Sequence, residues 1–179
     1  MNKKWKIISR EEVLGSRWYQ VFKETVQLPT GKILDDYYVR DGVRAVLIVA
    51  RTSDGKYILT SQYKHGAQTI VLEFPAGHID ADEDALTAAK RELREETGAE
   101  ATSMTLGPTF FDNPTSSRGE IYVVFADGVE AKYQQALDDN EDIEVVVMTS
   151  SELKQALDNG QFQVPASAAA GYMALGRNA

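Results

Sequence analysis

Three glutamates that share one face of a predicted helix are the side chains best placed for chemistry. Glu92, Glu95 and Glu96 stand at positions i, i+3 and i+4, which a helix brings side by side. Like charges at this spacing destabilise a helix by roughly 0.2–0.5 kcal/mol per pair, and the helix dipole disfavours anions in the last turn. A solvated face that is salt-bridged by Arg91 would offset this repulsion. Bound divalent cations would also offset it, because Mg²⁺ prefers carboxylate oxygens.

The helix that must position these glutamates is predicted over residues 81–97. Its apolar residues recur at helical spacing: Leu86, Ala89 and Leu93. Asp80 followed by Glu83 resembles a capping box, and Gly98 is well placed for the left-handed residue that ends many helices. We therefore expect the glutamates to lie on the last turns of a capped helix.

The sequence around this helix resembles the Nudix box. That motif has a glycine, five residues, a glutamate, seven residues, and then the pattern Arg-Glu-hydrophobic-any-Glu-Glu-any-Gly-hydrophobic. Here Gly77, Glu83 and residues 91–98 match every fixed charged and glycine position, and Ala99 fills the last hydrophobic position. A motif with this many fixed positions is strong evidence for a family, unlike a lone glycine pattern.

The resemblance implies a metal centre that binds Mg²⁺, with Mn²⁺ as the alternative. Its ligands would be the Ala76 carbonyl and the carboxylates of Glu92, Glu95 and Glu96. Gly77 would let the backbone turn sharply enough to aim that carbonyl, and Glu83 would pair with Arg91 to orient the cluster. Metal ions held in this way clamp a diphosphate and lower the pKa of an attacking water.

An acidic stretch downstream of the box offers the general base that must accept the proton from that water. Neither His65 nor His78 has an obvious carboxylate partner in the sequence, so each is interpreted as a polar surface or loop residue. In the ADP-ribose pyrophosphatase branch of the Nudix family the base comes from an acidic loop, and residues 138–144 are the similar stretch here. Glu141 is the first candidate and Glu144 the second, although a solvated acidic loop would show the same pattern.

Further residues resemble the ADP-ribose pyrophosphatase and nucleoside-diphosphate-sugar hydrolase branch. Pro114 stands where this branch carries proline, although a loop proline alone indicates only a rigid turn. The branch commonly has arginine in place of Lys64, and lysine binds phosphate without a bidentate fork. Lys64, Glu73 and Pro114 are therefore candidate substrate-binding residues, and Glu73 is equally compatible with an ordinary strand position.

The N-terminal segment, residues 1–42, is predicted to form strands that are broken by a turn at residues 28–31. In the branch that it resembles, this segment forms a small antiparallel sheet swapped onto a second subunit. We therefore expect a homodimer, with the Nudix domain over residues 43–179. Trp18 is a candidate for stacking on a nucleobase, and packing in the core or the dimer interface is the alternative.

The remaining patterns predict an α/β or α+β class. Apolar runs favour strands at residues 45–50, 57–59, 71–74, 121–125 and 143–147. Two further helices are expected near residues 151–158 and 166–176. This alternation and the family resemblance imply a Nudix α/β/α sandwich with a mixed sheet.

Composition limits the class of partner. The 179 residues carry a net charge of −8 and no cysteine, which excludes thiol chemistry and fits a reducing compartment. An acidic surface repels phosphate backbones, so neither nucleic-acid binding nor RNA processing is expected. The longest apolar run, residues 45–50, is too short to span a membrane, and we expect the protein in the cytoplasm without a membrane partner.

The function that these residues predict is Mg²⁺-dependent hydrolysis of the diphosphate of a small molecule, ADP-ribose or a related nucleoside diphosphate sugar. The products would be a nucleoside monophosphate and a sugar phosphate. GDP-mannose and ADP-glucose are alternative substrates. A non-catalytic nucleotide-sugar-binding regulator is the alternative of another class, but such domains often lose box carboxylates, whereas Glu92, Glu95 and Glu96 are all present.

Overall fold

The computed structural model describes residues 3–16 and 19–177. Trp18, a predicted nucleobase contact, lies outside the described residues. The chain forms two compact units: Met1–Val43 with Phe111–Glu120, and Arg44–Phe110 with Ile121–Ala179. The domain division predicted between residues 42 and 43, and the exchange of the first segment between subunits, stay predictions.

A three-stranded antiparallel sheet makes up most of the first unit. Its strands pair in the order β1 (Lys6–Gly15), β2 (Gln20–Gln27) and β3 (Ile33–Asp41). The turn predicted between β2 and β3 is confirmed. Gly31 has a φ of 88°, which glycine adopts without steric cost, and the Leu28 N–H donates to the Lys32 carbonyl. Glu24, buried in β2, pairs with Arg118 at 2.6 Å, which ties a later part of the chain to this sheet.

An eight-stranded sheet organises the second unit. Its strands are β4 (Arg44–Thr52), β5 (Tyr57–Lys64), β6 (Thr69–Glu73), β7 (Ala76–His78), β8 (Ala99–Glu100), β9 (Ser103–Phe111), β10 (Glu120–Ala131) and β11 (Ile143–Met148). The central order is β11-β5-β4-β10-β8, while β6 pairs with β5, β7 with β4 and β9 with β10. Strand β7 lies directly before the predicted glutamate helix, so the sheet fixes the approach to that helix.

Three helices are present in the described residues: α1 (Ala85–Thr97), α2 (Ser150–Asp158) and α3 (Pro165–Gly176). The two C-terminal helices lie within one residue of their predicted positions. The predicted start of α1 at residue 81 is wrong, because Asp84 caps the helix by accepting from the Thr87 N–H at 2.8 Å. Asp80 instead accepts from the Glu83 N–H in a turn before the helix. Gly98 ends α1 with a φ of 66°, as predicted.

Strand β4 separates two apolar cores because its side chains alternate between the faces of the sheet. Val46 and Ile48 pack in one core with Leu93 of α1. Leu47 packs in the other core with Leu153 of α2 and with residues of α3. Helices therefore cover both faces of the sheet, and the predicted α/β/α sandwich is confirmed.

None of the helices among the described residues is long and apolar enough to cross a membrane.

Candidate active site

Arg91 is the centre of an ion-pair network on helix α1. Its Nε and Nη2 donate to the two carboxylate oxygens of Glu83 at 3.0 and 2.9 Å. Its Nη1 donates to Glu92 at 2.8 Å and to Glu95 at 3.0 Å, and its Nη2 also reaches the His78 carbonyl at 2.8 Å. Pairing with Glu83 above all raises the pKa of the Arg91 guanidinium. This planar fork therefore fixes the helix face against the loop that precedes it.

The backbone of β7 lies against the other side of the carboxylate cluster. The Ala76 N–H donates to Oε2 of Glu96 at 3.1 Å. A Cβ on Gly77 would lie 1.9 Å from the Glu92 carboxyl carbon, so a larger residue at this position would displace the Glu92 carboxylate. Strand β7 is itself held by β4, since Val46 is the register partner of Gly77. Gly77 thus leaves space for the Glu92 carboxylate at the predicted metal site.

Burial makes the negative charge of this cluster costly. Only 2% of Glu96 is exposed, and this burial raises the pKa of Glu96 to about 8. Burial also raises the pKa of Glu92, and the charges of Glu95 and Glu141 raise it further. A carboxylate that has lost its hydration is stabilised in the ionised form only by hydrogen bonds or by a cation. The cluster therefore has the electrostatic character of a cation site.

The donor chemistry fits a divalent cation, although the carboxylates would have to turn. Among the described residues, no group of three or more acidic, histidine or cysteine side chains is already spaced to hold a metal ion. One oxygen of each carboxylate is engaged, in Glu92 and Glu95 by Arg91 and in Glu96 by Ala76. Within residues 3–16 and 19–177 the second oxygen of each accepts no hydrogen bond. Carboxylate oxygens of this kind are the hard ligands that Mg²⁺ prefers.

The structure brings Lys64 and Glu73 to the same site. The Lys64 ammonium lies 2.9 Å from Oε1 of Glu73, and the Gln62 amide lies 3.4 Å from the same oxygen. Glu73 is only 5% exposed, so this pairing stabilises a buried carboxylate. The charges of Lys64 and Glu73 both act on Glu96. Lys64 is therefore a positive charge at the edge of the acidic cluster.

Glu141 lies in a turn after β10 that approaches the cluster. The Glu141 N–H donates to the Asp138 carbonyl at 2.9 Å, and the Glu141 carboxylate accepts from the Asp138 N–H at 3.1 Å. The Glu141 charge contributes to the raised pKa of Glu92, after the larger effect of burial. Glu144 is exposed on β11, opposite Ser61 of β5. The charge of Glu141 thus acts on the cluster, and its role as the base, with Glu144 as the second candidate, stays a prediction.

The two histidines have other contacts. The Tyr63 hydroxyl lies 3.3 Å from the His65 ring, and the His78 backbone carbonyl accepts from Arg91. His65 lies in a turn and His78 is exposed at the end of β7, which fits their interpretation as polar surface or loop residues.

The first unit contains a separate cavity of about 340 Å³. Tyr19, Tyr38 and Arg40 line it, and the Arg40 guanidinium, which pairs with Asp112, lies 5.4 Å from the centroid of the Tyr19 ring. Aromatic rings stack on flat ligands and guanidinium groups bind anions. Pro114, a predicted substrate contact, belongs to the same unit and lines a second cavity there.

Sequence reasoning missed two residues that hold the site together. The buried Ser167 hydroxyl of α3 accepts from the Phe74 N–H at 2.9 Å, directly before the β7 segment. The Gln135 amide donates to the carbonyls of Glu96 and Ile143 at 2.6 and 3.0 Å. Neither residue stands in a recognisable motif, so no sequence signal pointed to either.

Comparison with known proteins decides the family. The family described as NUDIX domain matches residues 42–168. The chain belongs to the Nudix family. Residues 5–39 also match the family described as nucleoside diphosphate sugar hydrolase N-terminal domain. The family recognised from the sequence is thus confirmed.

Individual Nudix relatives are distant but cover most of the chain. An ADP-ribose pyrophosphatase of Bacillus subtilis (strain 168) is 30% identical over 145 residues, 80% of this chain and 78% of that protein. The methanol dehydrogenase activator of Bacillus methanolicus is 30% identical over 151 residues, with 84% and 81% covered. A crystal structure of ADP compounds hydrolase has a TM-score of 0.85 and 25% identity, and covers 99% of this chain and 95% of that one. The chain is a Nudix hydrolase, and Nudix hydrolases generally use divalent metal ions.

Glu96 gives a testable pH dependence of stability in the metal-free protein. Its folded pKa of about 8 lies above the ordinary 4.5, so between these values the unfolded chain has lost a proton that the folded chain retains. The free energy of unfolding should therefore fall as pH rises from 4.5 to 8. This group alone gives a slope of up to about 1.4 kcal/mol per pH unit. Urea unfolding in the presence of a chelator measures this slope.

Glu96→Gln is the matched control for that measurement, because its amide does not titrate and Glu92 is retained. The unaltered protein should lose stability relative to this variant between pH 4.5 and pH 8. Parallel pH profiles for the two proteins would contradict a pKa raised by burial. Adding a divalent cation at the upper end of the range should stabilise the unaltered protein more, since a ligand specific to the folded state stabilises it.

Proposed function

We propose that this Nudix hydrolase cleaves the diphosphate linkage of ADP-ribose or a related nucleoside diphosphate sugar. The products are a nucleoside monophosphate and a sugar phosphate. The carboxylate cluster of Glu92, Glu95 and Glu96 carries this proposal, because each keeps one oxygen without a hydrogen bond from the described residues. The match of residues 5–39 to a nucleoside diphosphate sugar hydrolase domain and the relatives named ADP-ribose pyrophosphatase support the substrate class.

The proposed cofactor is Mg²⁺, with Mn²⁺ as the alternative. The residues that would hold it are the three glutamates of α1 and the Ala76 carbonyl. When bound, divalent cations of this kind neutralise charge on the diphosphate and activate a water at neutral pH.

The chain's own residues would position the reactants. Arg91 and Glu83 fix the carboxylate face of α1 through the bidentate contact at 2.9 and 3.0 Å. Lys64 attracts a phosphate group by its charge. Glu141 accepts the proton from the attacking water while the water oxygen bonds to one phosphorus and the bridging phosphorus–oxygen bond breaks. Both products leave as phosphate monoesters.

GDP-mannose and ADP-glucose remain alternative substrates, because the nucleobase contact proposed from the sequence, Trp18, lies outside the described residues. A regulator that binds a nucleotide sugar without cleaving it is the candidate of another class. The similarity to a protein named methanol dehydrogenase activator favours that alternative. The retention of all three box glutamates favours the hydrolase.

We also propose that the protein is a cytoplasmic homodimer. The absence of cysteine from the sequence fits a reducing compartment. Strand β1 is an edge strand, and every one of its residues is exposed within the single chain. Ile7, Ile8, Val13 and Leu14 are among its exposed side chains, and an edge strand of this kind is a ready pairing surface. Light scattering should give twice the 19.8 kDa of one chain, and a monomeric mass would contradict the proposal.

The first test is Mg²⁺-dependent cleavage of ADP-ribose, ADP-glucose, GDP-mannose and UDP-glucose, with the phosphate products identified by chromatography. We expect a marked preference within this panel. Loss of a residue that only orients a metal ligand costs roughly 10- to 100-fold in activity. Glu96→Gln removes a proposed ligand itself, so it should reduce turnover by more than this. A folded variant with unchanged turnover would remove Glu96 from the metal site. Tight binding without turnover by the unaltered protein would favour the regulator.

Glu141→Gln tests the general base. Loss of a positioned base should lower kcat by roughly 10²- to 10⁴-fold, while KM changes little because the loop charge is not proposed to bind substrate. Glu144→Gln is the matched control, since Glu144 lies on the adjoining strand and is exposed. If Glu144→Gln lowers kcat and Glu141→Gln does not, the base is Glu144.

A further inference from the structure

Residues 132–136 follow β10 and precede the acidic turn, which is formed by residues 137–142. This short segment supplies hydrogen-bond donors to the C-terminal end of helix α1. A helix leaves its last carbonyl groups without partners inside the helix. Here the Gly98 carbonyl accepts from the Lys132 and Tyr133 N–H groups, both at 2.9 Å. The Glu95 carbonyl accepts from the Ala136 N–H at 2.9 Å. The backbone of the glutamate helix is thus bonded to residues only a few positions before Glu141.

Gln135 extends this attachment with its side chain. Its Nε2 donates to the Glu96 carbonyl at 2.6 Å and to the Ile143 carbonyl at 3.0 Å. An amide NH₂ carries two protons, so one proton serves each carbonyl. Ile143 is buried and begins strand β11, where its register partner is Gln62 of β5. One side chain therefore links the end of the glutamate helix to the strand that follows the acidic turn.

Hydrogen bonds therefore hold the chain at both ends of the acidic turn. At its start, the Ala136 N–H is bonded to Glu95, and the Arg94 guanidinium lies 4.3 Å from the centroid of the neighbouring Tyr133 ring. At its end, the Ile143 carbonyl is bonded to Gln135. Only residues 137–142 lie between these anchors, and the Glu141 N–H closes a turn on Asp138 at 2.9 Å.

We propose that Gln135 is a positioning residue, whose amide holds the turn carrying Glu141 at a set place beside the carboxylate face of α1. This inference rests on the proposed function for the role of Glu141. Gln135 must be the donor in both bonds, because the carbonyls of Glu96 and Ile143 can only accept. A side chain of equal length without donors leaves the Glu96 and Ile143 carbonyls without these bonds and frees the end of the turn.

Gln135→Met is the test substitution, because methionine keeps the length and neutrality of glutamine and has no donor. Gln134→Met is the matched control, since Gln134 is the exposed neighbour and makes no side-chain hydrogen bond within the described residues. With the preferred substrate of the panel, Gln135→Met should lower kcat by about 10- to 100-fold, the scale expected for a displaced catalytic group. KM should change little, and Gln134→Met should match the unaltered protein.

The double variant Gln135→Met/Glu141→Gln shows whether Gln135 acts through Glu141. If it does, Gln135→Met should lower kcat little further once Glu141 has lost its carboxylate, because residues that act as a unit are not additive. A full multiplicative loss in the double variant would overturn the proposal. So would a kcat for Gln135→Met equal to that of Gln134→Met.

Amide hydrogen exchange gives a readout that needs no turnover. In Gln135→Met the amides of Ala136 and Glu141 should exchange faster than in Gln134→Met, since these bonds open with the turn, and unchanged exchange would overturn the proposal. Should Gln135→Met fail to fold, Gln135→Asn keeps the amide but is one methylene shorter, and the same changes are expected. If Glu141→Gln alone leaves kcat unchanged, the base assignment fails, while the exchange rates still decide whether Gln135 fixes the turn.

Discussion

Glu92, Glu95 and Glu96 repel one another along one face of α1, and Glu96 has also lost most of its hydration. A buried carboxylate is costly unless it is hydrogen-bonded, paired with a cation or protonated. Arg91 offsets the cost at Glu92 and Glu95, whereas Glu96 accepts one hydrogen bond from the described residues, that of the Ala76 N–H. The rest of the second unit is arranged to hold these charges together despite that cost.

Helix α1 is held by bonds to the segments before and after it. Before the helix, Arg91 joins it to Glu83 and to the His78 carbonyl. After the helix, the Ala136 N–H and the Gln135 amide bond to the carbonyls of Glu95 and Glu96. The contacts after the helix satisfy carbonyls that any buried helix end must satisfy. The same bonds that complete the helix therefore determine where the β7 backbone and the acidic turn approach the carboxylates.

The parts of the site that sequence predicted depend on neighbours close in the chain. The glutamate face and the Gly98 cap follow from helical spacing and a local cap signal, and the Glu83–Arg91 pair follows from the resemblance to the Nudix box. The start of α1 was predicted four residues early because Asp80 and Glu83 bond to each other in a turn before the helix, whereas the Asp84 side chain caps the helix itself. Ser167 contacts Phe74 across 93 positions of sequence. Periodicity contains no information about such a pair, since only the folded sheet brings α3 to the end of β6.

Position 64 holds a lysine where the branch commonly has arginine, and this difference affects how the proposed substrate is recognised. Its ammonium already neutralises the buried Glu73 at 2.9 Å, and its charge also acts on Glu96. An arginine fork can engage a carboxylate and a phosphate in two fixed directions, whereas an ammonium acts as a point charge with weaker directional demands. In the proposed reaction, Lys64 would therefore contribute attraction for a diphosphate more than orientation. Orientation in the proposed reaction must then come from the metal ligands on α1, and discrimination among nucleotide sugars must come from contacts to the base and the sugar.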